Sequence, residues 1–275
     1  MSFEDDLRYF TFRLKNSRIK SSKWRQILNN LLKEARINIV RAGCEDLPID
    51  LNKLAKHFGI EEIRETILDN KGKGRIINEN GVFKIEINKK LPSDKKRFVI
   101  AHELSHFIVE KKEIKKNPRR VSRMSQKDKM SFKMIEEFCD IIAEEVLLPE
   151  KYLLNKIGSS NPSIKIVDEI SKETKNTLEL VAKKVIDTGL WRCRFFWWKI
   201  INENIIAVNG VPFLDEKMLA FCQITKKNES TIWKSFQSND YYEGYDSMII
   251  GDQMQNYKIQ SLPIKDSEVL SMIVF

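Results

Sequence analysis

The sequence predicts an α+β fold: a mainly helical domain carrying a small β-hairpin or sheet, then a smaller α+β module. Three observations predict it. Several stretches between residues 22 and 148 place apolar residues every three or four positions, the period of a helix with one buried face. Among them lie Arg75-Ile-Ile, then Asn78-Glu79-Asn80-Gly81, then Val82-Phe-Lys-Ile-Glu-Ile-Asn88. Asn-Gly supplies the positive φ angles of a tight hairpin turn, and the flanking residues partly alternate. After Leu190 the texture changes to clustered aromatic and β-branched residues, which favour strands. The chain therefore divides into an N-terminal helical segment (1–43), a central domain (44–190) and a C-terminal module (191–275).

The elements follow in order. Ser22 to Arg36 reads as an amphipathic helix with Trp24, Ile27, Leu28, Leu31, Leu32 and Ala35 on one side. Its basic outer face reads as solvated. Asp50 caps a short helix, Leu51–Phe58, which Gly59 ends. His57, at the end of that helix, reads as a capping or packing residue. Ile60–Leu68 reads as a strand and precedes the hairpin. Arg97–Val109 contains no Gly or Pro and reads as a helix that Ser93 or Asp94 caps. Residues 111–133 carry ten basic and two acidic residues, a net +8, and read as a solvated connection in preference to a rim that steers an acidic partner. Ser131–Leu148 is a second long helix, ended by Pro149. Ile164, Val167 and Ile170 fit another helix, and Thr177 caps one that ends at Gly189. The pair lacks a recognisable DNA-reading helix. Trp191, Phe195, Phe196, Trp197 and Trp198 read as core, within a strand, turn and strand that continue to Val208. Met218–Thr225 and Met248–Ile250 are further strand candidates.

Composition narrows the class. The chain has 275 residues, 42% hydrophobic and 32% charged, with a net charge of +9. The charge is spread over many lysines, so it is weak support for nucleic-acid binding. The four cysteines form no Cys-x-x-Cys pair, which fits a reduced, intracellular protein. The acidic N-terminus lacks the apolar segment of a signal peptide, and no run reaches the ~18 apolar residues of a membrane helix. A soluble cytoplasmic protein with no membrane role is expected.

The chemistry centres on His102-Glu103-Leu104-Ser105-His106. Four residues apart on a helix, His102 and His106 share one face, about 5–6 Å apart at Cβ, and can hold one metal ion. Glu103 then lies beside the metal, where it can act as general base toward a bound water. The same five residues on an exposed helix would mean nothing. Here Phe98-Val-Ile-Ala101 and Phe107-Ile-Val109 flank them, so the helix is expected to be buried, and buried His and Glu need partners. Catalytic zinc normally takes three protein ligands. The chain has three histidines, and Cys ligands favour a closed structural site, so a carboxylate is the natural third. Glu136 and Glu137 both offer one. Glu136, Asp140, Ala143 and Leu147 share a face expected to turn inward, whereas Glu137, Ile141, Glu144 and Leu148 form a stripe expected to meet solvent. Glu136 is therefore chosen. Asp140, one turn on, is placed to accept the free ring N–H of a ligating histidine and so orient it toward the metal.

These residues resemble the ImmA/IrrE family of metallopeptidases. The resemblance rests on Pro48-Ile-Asp-Leu-Asn-Lys-Leu-Ala-Lys-His-Phe-Gly-Ile60, on Arg97-Phe-Val-Ile-Ala-His-Glu-Leu-Ser-His106, on Glu136-x-x-Cys-Asp-x-Ile-Ala-x-x-x-Leu-Leu-Pro149, and loosely on the helix pair at 163–190. Ser105 stands where the family often has Gly, and Cys139 where it often has Ala. The resemblance covers residues 45–190. It implies a compact zinc-peptidase domain with a thermolysin-like local site, His102, His106 and Glu136 as ligands, Glu103 as base, and zinc as the metal with manganese as the alternative. It implies a protein substrate, a helix-turn-helix DNA-binding repressor whose cleavage derepresses stress-response or mobile-element genes. Two rivals are a non-catalytic metal-binding regulator, such as a toxin–antitoxin or phage-defence component acting by protein binding, and a protein that binds nucleic acid directly. Nothing in 1–43 or 191–275 carries identifiable chemistry.

Overall fold

The structure is a computed structural model of the chain, and it describes residues 22–68, 72–113, 126–211, 222–224, 227–250, 253–265 and 267–275. The fold is α+β. It divides into two compact units. One runs to Glu150 and takes in Lys172–Thr177; the other comprises Lys151–Ser171 and Leu178–Phe275.

The first unit opens with α1 (Ser22–Arg41). It buries Leu28, Leu31, Leu32, Ala35 and Ile39, the expected stripe carried one turn further. It continues past Arg36 because its stop signal is Gly43: Gly43 N–H donates to Val40 O and Cys44 N–H to Ile39 O, with Gly43 at φ 62°, a Schellman termination. Next comes α2 (Leu51–His57), whose Asp50 side chain accepts from Lys53 N–H at 3.0 Å. His57 Nε2–H donates to Asn38 Oδ1 at 3.0 Å. That is a packing role, outside the metal group.

A three-stranded sheet follows, in the order β1-β3-β2, from β1 (Ile60–Thr66), β2 (Gly74–Glu79) and β3 (Val82–Asn88). β1 runs parallel to β3, and β2 antiparallel to it. The hairpin closes at Asn80 and Gly81, with φ of 55° and 89°, and Gly81 N–H donates to Asn78 Oδ1 at 2.8 Å. On one face Arg64 and Arg75 both bond the buried Glu86 carboxylate and hold its pKa below the usual range. The other face carries Ile85 and Ile87, fully enclosed, and packs on α3 (Ser93–Glu113). Ser93 is the first helical residue of α3, and Pro92 O accepts from Lys95 and Lys96 N–H.

α4 (Gln126–Leu147) packs against α3 and α1. The connection expected over 111–133 is therefore shorter, since α3 runs to Glu113 and α4 starts at Gln126; 114–125 lie outside the described residues. Trp24 meets Phe138 edge-on at 6.2 Å between ring centres. The buried Glu145 carboxylate takes a bond from Arg36 Nε at 2.8 Å and one from Glu150 N–H at 3.2 Å.

In the second unit, α5 (Glu150–Ile157), α6 (Ile164–Thr174) and α7 (Leu178–Thr188) lead into a six-stranded antiparallel sheet. Its order is β5-β4-β9-β8-β7-β6, from β4 (Cys193–Ile201), β5 (Asn204–Val211), β6 (Cys222–Ile224), β7 (Tyr242–Ile250), β8 (Gln253–Lys265) and β9 (Glu268–Val274). The candidate strand at Met248–Ile250 is the end of the longer β7; that at Met218–Thr225 is only partly described, as β6. One short helix, α8 (Thr231–Ser238), packs on β7, β8 and β9. Phe196, Trp198, Ile200, Ile232, Met248, Ile259, Val269 and Ile273 form the core between them. Gln260 pins the start of α6 by accepting from Ile164 N–H at 2.8 Å and donating to Pro162 O at 3.1 Å.

Candidate metal centre

α3 and α4 build the site. Both lack internal Gly and Pro, so each presents its side chains at strict helical spacing. α3 buries Val99, Ala101, Leu104, Ser105 and Ile108 and leaves His102, Glu103 and His106 half-buried, the two histidines facing α4 and Glu103 lying beside Gly74 of β2. The His102 and His106 rings lie 5.0 Å apart at their centres. Glu136, half-buried on α4, reaches both: Oε2 is 3.2 Å from His102 Nε2, and Oε1 is 3.5 Å from His106 Nε2.

Among the described residues these three form a group whose ligand atoms all lie within 4.8 Å of one another. A tetrahedral ion bonded at about 2.0–2.1 Å holds its ligands about 3.3–3.4 Å apart. The two His–Glu separations straddle that value, and both donor types, imidazole nitrogen and carboxylate oxygen, suit a divalent cation, so the set fits one.

The other ring nitrogens face away from this point. His102 Nδ1 lies 2.8 Å from Asp140 Oδ1, and His106 Nδ1 lies 3.4 Å from Cys139 Sγ. Burial pulls the His102 pKa down, but the Asp140 hydrogen bond and the charges of Asp140, Glu103 and Glu136 raise it on balance. Burial and the neighbouring His102 hold His106 below its usual value. Burial, reinforced by Glu136 and opposed by His102, pushes the Glu103 carboxyl up to about 7.

Every residue singled out by the motif thus lies in one place. Glu137 is absent from the group. The reason expected for that is wrong in part: Glu144 and Leu148, in its supposedly solvent-facing stripe, are buried, and Asp140, on the supposedly inward face, is exposed. From Ile142 to Leu147 α4 is buried on all sides, so periodicity there does not separate in from out. Sequence reasoning missed three neighbours of the site. Cys139 shares the face of Glu136, three residues on, and its sulfur lies against His106 Nδ1. Phe98 packs on the His102 ring at 6.4 Å. Gly74 opens β2 so close to α3 that a Cβ there would meet Val99 Cγ1 at 2.5 Å and Glu103 Oε1 at 3.1 Å. Its only signal was a glycine at the edge of a strand pattern.

Residues 55–185 match the IrrE N-terminal-like domain. This IrrE N-terminal-like segment, described by a peptidase family model, contains His102, Glu103, His106, Glu136 and Asp140, and supports the resemblance read from the motifs. No curated protein matches the chain significantly. Among solved structures, a Mycobacterium tuberculosis transcriptional regulator is similar with a TM-score of 0.50 and 13% identity, over 98% of this chain and 92% of that one. At that identity the likeness concerns the fold alone. No helix among the described residues is long and apolar enough to cross a membrane.

Proposed function

We propose that this chain is a zinc-dependent endopeptidase that hydrolyses a peptide bond in a protein substrate, a helix-turn-helix transcriptional repressor. One observation carries the reading: two imidazole Nε2 atoms and one carboxylate converge on a single point beside the half-buried Glu103. Two histidines and a glutamate with a fourth position open form a catalytic rather than a structural zinc set. A zinc ion held by His102, His106 and Glu136 would supply Lewis acidity to the scissile carbonyl and would acidify a bound water to a pKa of about 7.

The chain's own residues do the rest. Asp140 accepts the His102 Nδ1–H and fixes that ring with its Nε2 lone pair toward Glu136. Glu103 takes a proton from the attacking water and delivers it to the leaving nitrogen. A carboxyl group whose pKa lies near neutrality suits both transfers. The match to the IrrE N-terminal-like domain and the ImmA/IrrE resemblance support a repressor as target. Its cleavage would derepress stress-response or mobile-element genes.

The test is a cleavage assay: the zinc-loaded protein incubated with helix-turn-helix repressors encoded near its gene, wild type beside Glu103→Gln. The expected result is a new fragment at one site with the wild type and none with the variant. Binding of a repressor without cleavage by either protein would point instead to a non-catalytic regulator.

A further inference from the structure

The two ligand imidazoles are backed by unlike groups. His102 Nδ1 faces the Asp140 carboxylate, which when ionised can only accept a hydrogen bond. His106 Nδ1 faces the Cys139 thiol, with Sγ at 3.4 Å. Cys139 is wholly enclosed, and no disulfide involves any of the four cysteines. Cys139 follows Glu136 by three residues and precedes Asp140 by one. A single stretch of α4 therefore supplies a ligand and backs both rings.

We infer that Cys139 is a positioning residue of the metal site: its sulfur accepts the Nδ1–H of His106 and holds the Nε2 lone pair of that ring toward Glu136. The inference rests on the metal-site reading above and adds a residue to it. A neutral imidazole that gives Nε2 to a cation carries its hydrogen on Nδ1. A buried N–H left without an acceptor is costly, and sulfur is the atom placed to take it here. A thiol is both a weak donor and a weak acceptor. Without an ion it satisfies either tautomer, S–H donating to Nδ1 or Nδ1–H donating to S. Asp140, which when ionised only accepts, favours the Nδ1–H form of its ring.

The test compares wild type, Cys139→Ala and Cys139→Ser. Zinc dissociation constants come from competition with a chromophoric chelator, and the visible absorption of each protein is recorded after loading with cobalt(II). The expected result is binding weakened about tenfold or more in the Ala variant with an altered cobalt spectrum, and restored to within about threefold of wild type by Ser, whose hydroxyl again accepts. Equal affinity in all three proteins overturns the inference. So does an Ser variant as weak as the Ala variant, which would assign Cys139 to packing alone. A wild type that binds no zinc would instead overturn the metal-site reading beneath it. Nitrogen-15 NMR of the zinc-loaded wild-type protein needs no variant: His106 should show the Nδ1–H form. An Nε2–H form of His106 in the loaded protein contradicts the inference.

Discussion

The two units both bury polar side chains, to opposite effect. In the C-terminal sheet the buried polar groups close on one another. Trp198 Nε1–H donates to Ser271 Oγ at 2.6 Å. Thr231 donates to Asp246 through both its N–H, at 3.0 Å, and its hydroxyl, at 2.8 Å. The Thr231 hydroxyl also lies 3.0 Å from that of Ser261. That network is complete without a ligand. Between α3 and α4 two ring nitrogens and a carboxylate oxygen face a common point, while the outward nitrogens are anchored by Asp140 and Cys139. Atoms that accept, brought together, are an arrangement suited to a cation. The lesson is that burial of polar atoms does not mark a site; convergence of like atoms with their backs anchored does.

Four predictions sharpen this contrast. The largest effect belongs to Glu103→Gln. It should lower peptide hydrolysis by roughly two to four orders of magnitude, the usual share of general acid–base catalysis, with metal content unchanged; steady-state cleavage with elemental analysis checks both. Trp198→Ala should cost about 3–5 kcal/mol in the C-terminal unit, read by denaturant unfolding, and leave zinc affinity alone. Loss of metal in that variant would contradict the contrast. Asp140→Ala should weaken zinc binding about 10–100-fold. It should barely change the stability of the metal-free protein, because Asp140 is exposed.

The smallest effect is a pH dependence in the metal-free protein. The folded Glu103 carboxyl titrates at about 7, above its ordinary 4.5. The folded state therefore holds a proton that the unfolded state has released between those values. Its contribution is fully present below the ordinary value and is lost as pH rises through about 7. With allowance for partial exposure, the loss is on the order of 1–2 kcal/mol. Glu103→Gln should flatten that slope in unfolding curves taken between these pH values, and a slope unchanged in the variant would assign it to another group.

Much of the first unit was legible in the sequence because its signals are local. Asn80-Gly81 specified the hairpin, Asp50 and Gly59 bounded α2, and the Gly- and Pro-free run around His102 specified α3. The C-terminal sheet was legible only in part. The pairing of β4 with β9, Phe195 opposite Met272, joins segments distant in the chain, and no local pattern encodes that register. The same limit applies at the site. His102 and His106 are tied by helical spacing alone, but Cys139 and Gly74 acquire their neighbours only when α4 and β2 pack on α3.

The central claim is that His102, His106 and Glu136 hold one metal ion. Elemental analysis of the purified protein, wild type beside Glu136→Ala and Glu137→Ala, tests it most directly. The account predicts about one zinc per chain in the wild type, lost in Glu136→Ala and kept in Glu137→Ala. No stoichiometric metal in the wild type after zinc is supplied, or zinc that survives Glu136→Ala and is lost in Glu137→Ala, would contradict it.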